Sequence, residues 1–204
     1  MPITHSAQDY LEGVRKDEVA WVGHAGLNLR YLLYVPLQPQ PKHTLLVIGK
    51  NPSAATAKES DHTVNQIIRY VQESGQLDWV EQIIVANLYA YYETYSQDLI
   101  AAQARLGESL VIGLRNDEFI AEAARKAEAV IVAWGGNPVG ATASWMQAHY
   151  DPRARSVLKL LPPAKLRCVR RRNKNPLEDN LHPFHPQNWS ARHDSVCLYR
   201  KPSS

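Results

Sequence analysis

Apolar residues in this chain gather into four short unbroken runs: "TLLVIG" (44–49), "QIIVANLY" (82–89), "AVIVAWG" (129–135) and "LRCV" (166–169). A strand with one wet face alternates apolar and polar positions, whereas a strand covered on both faces has no need to. The runs therefore predict four buried strands of a parallel sheet. The intervals between them carry a helical period. In "DHTVNQIIRYVQES", Val64, Ile67, Ile68 and Val71 fall at i, i+3, i+4 and i+7, one apolar stripe, with Thr63 and Gln66 spaced for a capping box. "SQDLIAAQARLG" predicts a helix from Ser96 as N-cap to a stop at Gly107, and "NDEFIAEAARKAEA" one capped by Asn116 with acidic residues in its first turn. "ATASWMQAHY" and "RARSVLKLL" predict two weaker helices, broken apart at Pro152 and ended by Pro162-Pro163.

The start of the chain has a different pattern. "EVAWVGHAGLNLRYLLYVPL" alternates around Gly23 and Gly26, which predicts a β-hairpin over about 18–36 with its second strand near Leu29 to Val35. Pro36, Pro39 and Pro41 then mark an exposed connector. Strands alternating with helices imply an α/β fold: a three-layer α/β/α sandwich around a four-stranded, mainly parallel sheet with right-handed crossovers, preceded by the N-terminal hairpin.

Composition narrows the class. A chain of 204 residues with 45% hydrophobic and 21% charged positions is expected to form one folded domain spanning 1–204. A formal charge of +3 is too small for a nucleic-acid packaging protein, so any nucleic-acid contact has to be local. Cys168 and Cys197 are too few and too far apart for a cysteine-rich metal or iron–sulfur site, and read as small core residues. No run approaches the roughly 20 apolar residues that span a bilayer, and "MPITHSAQDYLEGVRKDE" lacks the apolar core of a signal peptide. A cytoplasmic protein without membrane contact is the expectation.

In parallel sheets, ligands bind beyond the carboxyl ends of the strands, so the polar residues there are the candidates for chemistry. These are Asn51 after the first run, Asn87 at the end of the second, Trp134-Gly135-Gly136 after the third, and "NLHPFHPQNW" (180–189) after the fourth. No Walker A, GxGxxG or GxSxG pattern is present. In "VIGKNPSAA" (47–55), Gly49 permits close backbone approach, Pro52 keeps Asn51 out of the helical region and Ser53 can cap the next segment. An amide held in this way suits orienting a water or reading the edge of a heterocycle, or else it caps its own turn. Asn87 has the same two readings.

His182 and His185 stand between prolines, which stiffen them, and an imidazole that donates to an oxygen gaining negative charge is a recurring catalytic device. A surface turn is the plainer reading. A metal site from His149, His182, His185 and His193 has no supporting spacing, and no metal or cofactor is expected. "KLRCVRRRNK" supplies Arg170, Arg171, Arg172 and Lys174, either phosphate contacts or a solvated loop. Trp134, Tyr89, Tyr91, Tyr92 and Trp189 are able to stack on a base, or to pack the core.

As an ordered set, Asn51-Pro52-Ser53-x-Ala55, Asp61-x-Thr63, Asn87-Leu88-x-Ala90, Asn116-Asp117, Ala133-Trp134-Gly135 and His185-Pro186 resemble the pattern of a bacterial family, domain of unknown function 1643, over residues about 30–188. More distantly, Gly49-x-Asn51-Pro52, Asn87, Trp134-Gly135 and His185-Pro186 resemble, in order, motifs of the uracil-DNA glycosylase superfamily. That second resemblance implies a glycosylase-like α/β sandwich acting on a nucleobase, nucleotide or nucleic acid. It makes Asn51 the residue that orients the attacking water and His185 the donor to the base oxygen as the N-glycosidic bond breaks. Asn87, Ser53, Trp134, Gly135 and His182 would bind the substrate, with Trp189 as a wedge for base flipping. The sequence departs from that pattern in Lys50 between Gly and Asn, in having no Asp at the water-activating place, and in the residue after His-Pro. The alternative is a non-catalytic protein that binds a nucleotide, a modified base or nucleic acid.

Overall fold

The strands with unbroken apolar sequences lie at the centre of the sheet, where both faces are covered. The structure, a computed structural model, describes residues 7–92, 96–138, 140–171 and 181–202. In it β3 (Thr44–Gly49) is flanked on one side by β4 (Gln82–Asn87) and on the other by β5 (Ala129–Val132), all parallel, and β6 (Leu166–Arg171) continues parallel beside β5. Successive β3 side chains point to opposite faces. Leu45 and Val47 join Val64, Ile67, Ile68 and Val71 of α1 (His62–Glu73). Leu46 and Ile48 instead join Ile120 and Ala123 of a later helix.

Four strands were too few. The sheet has seven, in the order β1-β2-β4-β3-β5-β6-β7, and it is mixed, with three parallel and three antiparallel pairings. The expected hairpin forms from β1 (Ala20–His24) and β2 (Leu29–Pro36), and β2 is part of the main sheet, antiparallel to β4 from Leu33–Val85 to Pro36–Gln82. β7 (Asp194–Leu198) pairs antiparallel with β6. Its sequence, "DSVCL", has no apolar run because it is an edge strand with exposed positions.

The helices follow the expected intervals with three corrections. The N-cap of α1 is Asp61, one position before the helix, accepting from the Val64 N–H at 2.9 Å. Thr63 and Gln66 form no box, and the Gln66 amide donates to the Trp189 carbonyl at 2.7 Å instead. Between β4 and β5 run α2 (Ser96–Leu106), α3 (Glu108–Ile112) and α4 (Asn116–Lys126). Asn116 is the first residue of α4 rather than its cap, and its side chain bonds to the end of β4. Finally, Pro152 breaks nothing. A short α5 (Ala143–Trp145) passes through a π turn (Met146–Tyr150) directly into α6 (Asp151–Leu160). The Asp151 N–H donates five residues back to the Met146 carbonyl, and Pro152 falls in the first turn of α6, where a missing N–H is tolerated. Among the described residues, no helix is long and apolar enough to cross a membrane.

The chain leaves β3 toward β4 on one side and later crosses back to β5 on the other. The loops leaving β3 and β5 therefore diverge, and it is at such a point, at the carboxyl ends of neighbouring strands, that sheets of this kind form a ligand crevice.

Candidate functional site at the strand ends

The β3 loop is held against β4 by backbone and amide alike. Gly49 stands opposite Asn87 in the parallel register, and a Cβ on Gly49 would lie 2.8 Å from the tip of the Asn87 amide, so a side chain there would displace that amide. The Asn87 amide, oriented to suit its surroundings, donates to the carbonyls of Ala86 and Asn51, each at 3.2 Å. Leu88 and Tyr89 N–H extend the ladder to the carbonyls of Gly49 and Lys50. On the far side, the Asn116 amide donates to the carbonyls of Asn87 and Leu88 at 2.9 and 3.1 Å, and Arg153 Nε also reaches Leu88 at 2.7 Å. Asn51 is half-buried, with Nδ2 donating to the Pro52 carbonyl at 3.3 Å. Ser53 is also half-buried, its carbonyl accepting from Arg30.

The β5 loop docks on the histidine segment. Trp134 is fully buried and its Nε1 donates to the Leu181 carbonyl at 2.7 Å, so the indole ties two loops together and presents no open face. Gly135 has φ 72°, its N–H donates to Pro183 at 2.8 Å, and a Cβ there would lie 2.9 Å from the Cβ of His185. The hydroxyl of Tyr150 lies 3.1 Å from the carbonyls of both Trp134 and Gly135.

His185 caps the short turn Pro186–Asn188, its Nδ1 accepting from the Gln187 N–H at 3.3 Å. An accepting Nδ1 leaves the proton of the neutral ring on Nε2, which makes Nε2 a donor. His182 Nε2 lies 2.9 Å from Asp151 Oδ1, and its ring stacks on Tyr150 with centroids 5.6 Å apart. Lys50 Nζ sits 5.7 Å from the centre of the same Tyr150 ring. Lys50 is only 9% exposed, and burial alone pushes its ammonium down to about 8.

Residues 30–187 match the model of a family described as protein of unknown function, DUF1643. The chain belongs to the DUF1643 family. The match covers every residue of the crevice from Gly49 to His185, while β1 and β7 lie outside it. No curated protein matches the chain.

In this DUF1643 chain, Asn51 and Asn87 meet at the ends of β3 and β4, Gly135 and His185 meet after β5, and Tyr150, bonded to the Trp134 and Gly135 carbonyls, lies beside His182 and Lys50. Arg170 and Arg171 are exposed at the end of β6, and the Arg171 guanidinium lies 5.8 Å from the ring of Phe184, next to His185. Arg172 and Lys174 lie outside the described residues. Trp189 is not a wedge: it is 4% exposed, packs on Tyr70 at 5.2 Å and donates from Nε1 to the Phe184 carbonyl. Tyr89 is likewise buried, and Tyr91 and Tyr92 are half-buried. Among the described residues, no three His, Cys, Asp or Glu side chains gather as a metal-ligand set. His149 lies beside Glu108 at 3.4 Å, and His182 is joined to Asp151.

Sequence reasoning passed over Lys50, Tyr150 and Asp151. Lys50 stood out only as a departure from a motif. Tyr150 and Asp151 sit before Pro152 in what reads as a helix end, and their partners Trp134, Gly135 and His182 are distant in the chain.

Proposed function

We propose that this protein acts on a nucleobase carried by a nucleoside or nucleic acid and hydrolyses its N-glycosidic bond, within an architecture of the uracil-DNA glycosylase kind. The observation that carries this reading is the seating of His185 against Gly135 with Nδ1 held as an acceptor. As the bond to the sugar breaks, its electron pair moves onto the base, and a base carbonyl oxygen gains negative charge. A donor fixed in advance at Nε2 stabilises that oxygen most in the transition state. The buried ammonium of Lys50 adds positive potential at the same strand ends. Asn51, on the loop after β3, orients the water whose oxygen bonds to the anomeric carbon; the water gives up a proton to solvent and the departing base anion takes one up. Exposed Arg170 and Arg171 suit contact with a phosphate backbone.

A second reading is a binder of a nucleotide, modified base or nucleic acid without turnover. It is favoured by the Asn87 amide, whose donors serve backbone carbonyls, and by the neutral amide of Asn51, a weaker base than a carboxylate. Purified protein incubated with oligonucleotides containing uracil, hypoxanthine or mismatches, then treated with alkali, separates the two. Hydrolysis predicts strand scission that falls at least about a hundredfold in His185→Ala. Thermal stabilisation by a nucleobase or oligonucleotide without scission supports the binder, and neither response overturns both readings.

A further inference from the structure

The chain has two cysteines, and the fold sets them opposite each other at one side of the sheet. Cys168 of β6 stands across from Cys197 of β7 in the antiparallel register. Both are free thiols, and their Sγ atoms lie 3.4 Å apart. Residues directly opposite in an antiparallel pair have Cα atoms about 4.5–5.5 Å apart, inside the range that a disulfide spans. The backbone therefore already stands where a bond between the sulfurs needs it.

The two thiols differ in access and in charge. Cys168 is 5% exposed and belongs to the core that Leu166 and Tyr199 share. Cys197 is half-buried on the edge strand, the side that a solute approaches. The hydrogen bond between the sulfurs holds the Cys197 thiol below the usual thiol range, and the charge of Arg170 acts in the same direction. The same bond, together with burial, raises the thiol of Cys168. Because the thiolate is the reactive form, Cys197 is placed to react first and Cys168 to follow.

We propose that Cys197 and Cys168 form a reversible oxidation site for hydroperoxides, closing to a disulfide that clasps the segment between β6 and β7. The electron pair of the Cys197 thiolate forms an S–O bond, the peroxide O–O bond breaks, and hydroxide leaves from hydrogen peroxide. The Cys168 sulfur then attacks the Cys197 sulfur. The S–S bond forms, the S–O bond breaks, and the departing hydroxide takes the Cys168 proton as water. Two thiols are oxidised by two electrons while one peroxide is reduced to water, and a dithiol reverses the reaction by exchange. The segment so clasped carries His182 and His185, and the proposal stands whether or not the strand ends hydrolyse a glycosidic bond.

The full chain treated with hydrogen peroxide, blocked with N-ethylmaleimide, digested without reductant and mapped by mass spectrometry tests this. Both thiols are expected to disappear together from the monomer, to yield one peptide linking Cys168 and Cys197, and to return with dithiothreitol. The cysteines are 29 positions apart, and closing that loop should raise the melting temperature by about 5–10 °C. In Cys168→Ala the reaction should stop at a sulfenic acid on Cys197 that dimedone captures, and in Cys197→Ala oxidation of Cys168 should slow at least about tenfold. The mapping on the wild-type chain needs no variant, so it decides the matter even where a substitution impairs folding. Disulfides only between chains, sulfenic acid first on Cys168, or an unchanged melting temperature in the oxidised monomer would overturn the assignment.

Discussion

At the residue scale, the burial of Lys50 has a direct electrostatic consequence. Its ordinary pKa of 10.5 falls to about 8 because burial disfavours the ammonium. Below pH 8 the lysine is charged in both folded and unfolded chains, and the penalty for burying it stands in full. Between about 8 and 10.5 the unfolded chain holds a proton that the folded chain has released, so this group's contribution to stability rises with pH. The shift corresponds to roughly 3 kcal/mol as an upper bound. Lys50→Met is therefore expected to be more stable than wild type at pH 7 by about 1–3 kcal/mol, the difference shrinking toward pH 10. Urea denaturation at the two pH values measures it, and a gap independent of pH would show that the ammonium is compensated. The cysteines make a second residue-scale case. Sequence marked both as core residues, yet they face each other across β6 and β7 with Sγ atoms 3.4 Å apart. The hydrogen bond between the two sulfurs lowers the Cys197 thiol and raises that of Cys168. Iodoacetamide should modify Cys197 first, with a rate midpoint below the ordinary value of about 8.5, and Cys168→Ala should move that midpoint up toward it. The placing of Asn51 and His185 in loops after the strands was legible because strand ends and flanking prolines mark them in the chain. The places of Lys50, Tyr150 and Asp151 were not, since they arise from contacts between distant segments.

At the element scale, the central strands were legible because burial on both faces leaves a continuous apolar run, as in β3 and β5. β7 was not, because an edge strand needs no such run, and the cap of α1 was misread because Asp61 serves two elements at once. It holds the Val64 N–H of the helix and the Ala55 N–H of the β3 loop, at 2.9 and 2.7 Å. The β5 loop depends on geometry of a similar kind at Gly135. With φ at 72° and the His185 Cβ at 2.9 Å from any added methyl, alanine there meets both backbone strain and a collision that no rotamer of His185 relieves. Gly135→Ala is expected to lower stability by about 2–3 kcal/mol and to displace His185. Urea denaturation reads the first effect, and the position of the His185 Cε1–H resonance the second. An unmoved resonance would mean that Gly135 does not seat the histidine.

At the scale of the whole molecule, the family match begins at residue 30, but the packing begins earlier. Gln8 pairs with Ser60 through two backbone hydrogen bonds of 2.8 and 2.7 Å. The Asn65 and Gln72 amides of α1 donate to the carbonyls of Asp9 and Glu12, and the Tyr10 hydroxyl donates to Thr56 at 2.6 Å. Tyr10, Val14 and Val19 are buried in the core on the α1 side. The segment thus holds the far end of the loop that begins at Gly49, and it caps the face that α1 would otherwise expose. Three buried apolar side chains contribute roughly 4–8 kcal/mol together, against a typical total of about 5–15 kcal/mol for a domain. A chain starting at Ala20 should therefore lose most of its stability, and its urea midpoint should fall by more than half. It should also lose protection from amide exchange first in residues 50–60, because Thr56 and Ser60 lose their partners there. A midpoint unchanged by the truncation would instead make the segment a passive cover, and the loop's order would then have to come from Asp61 and Arg30 alone.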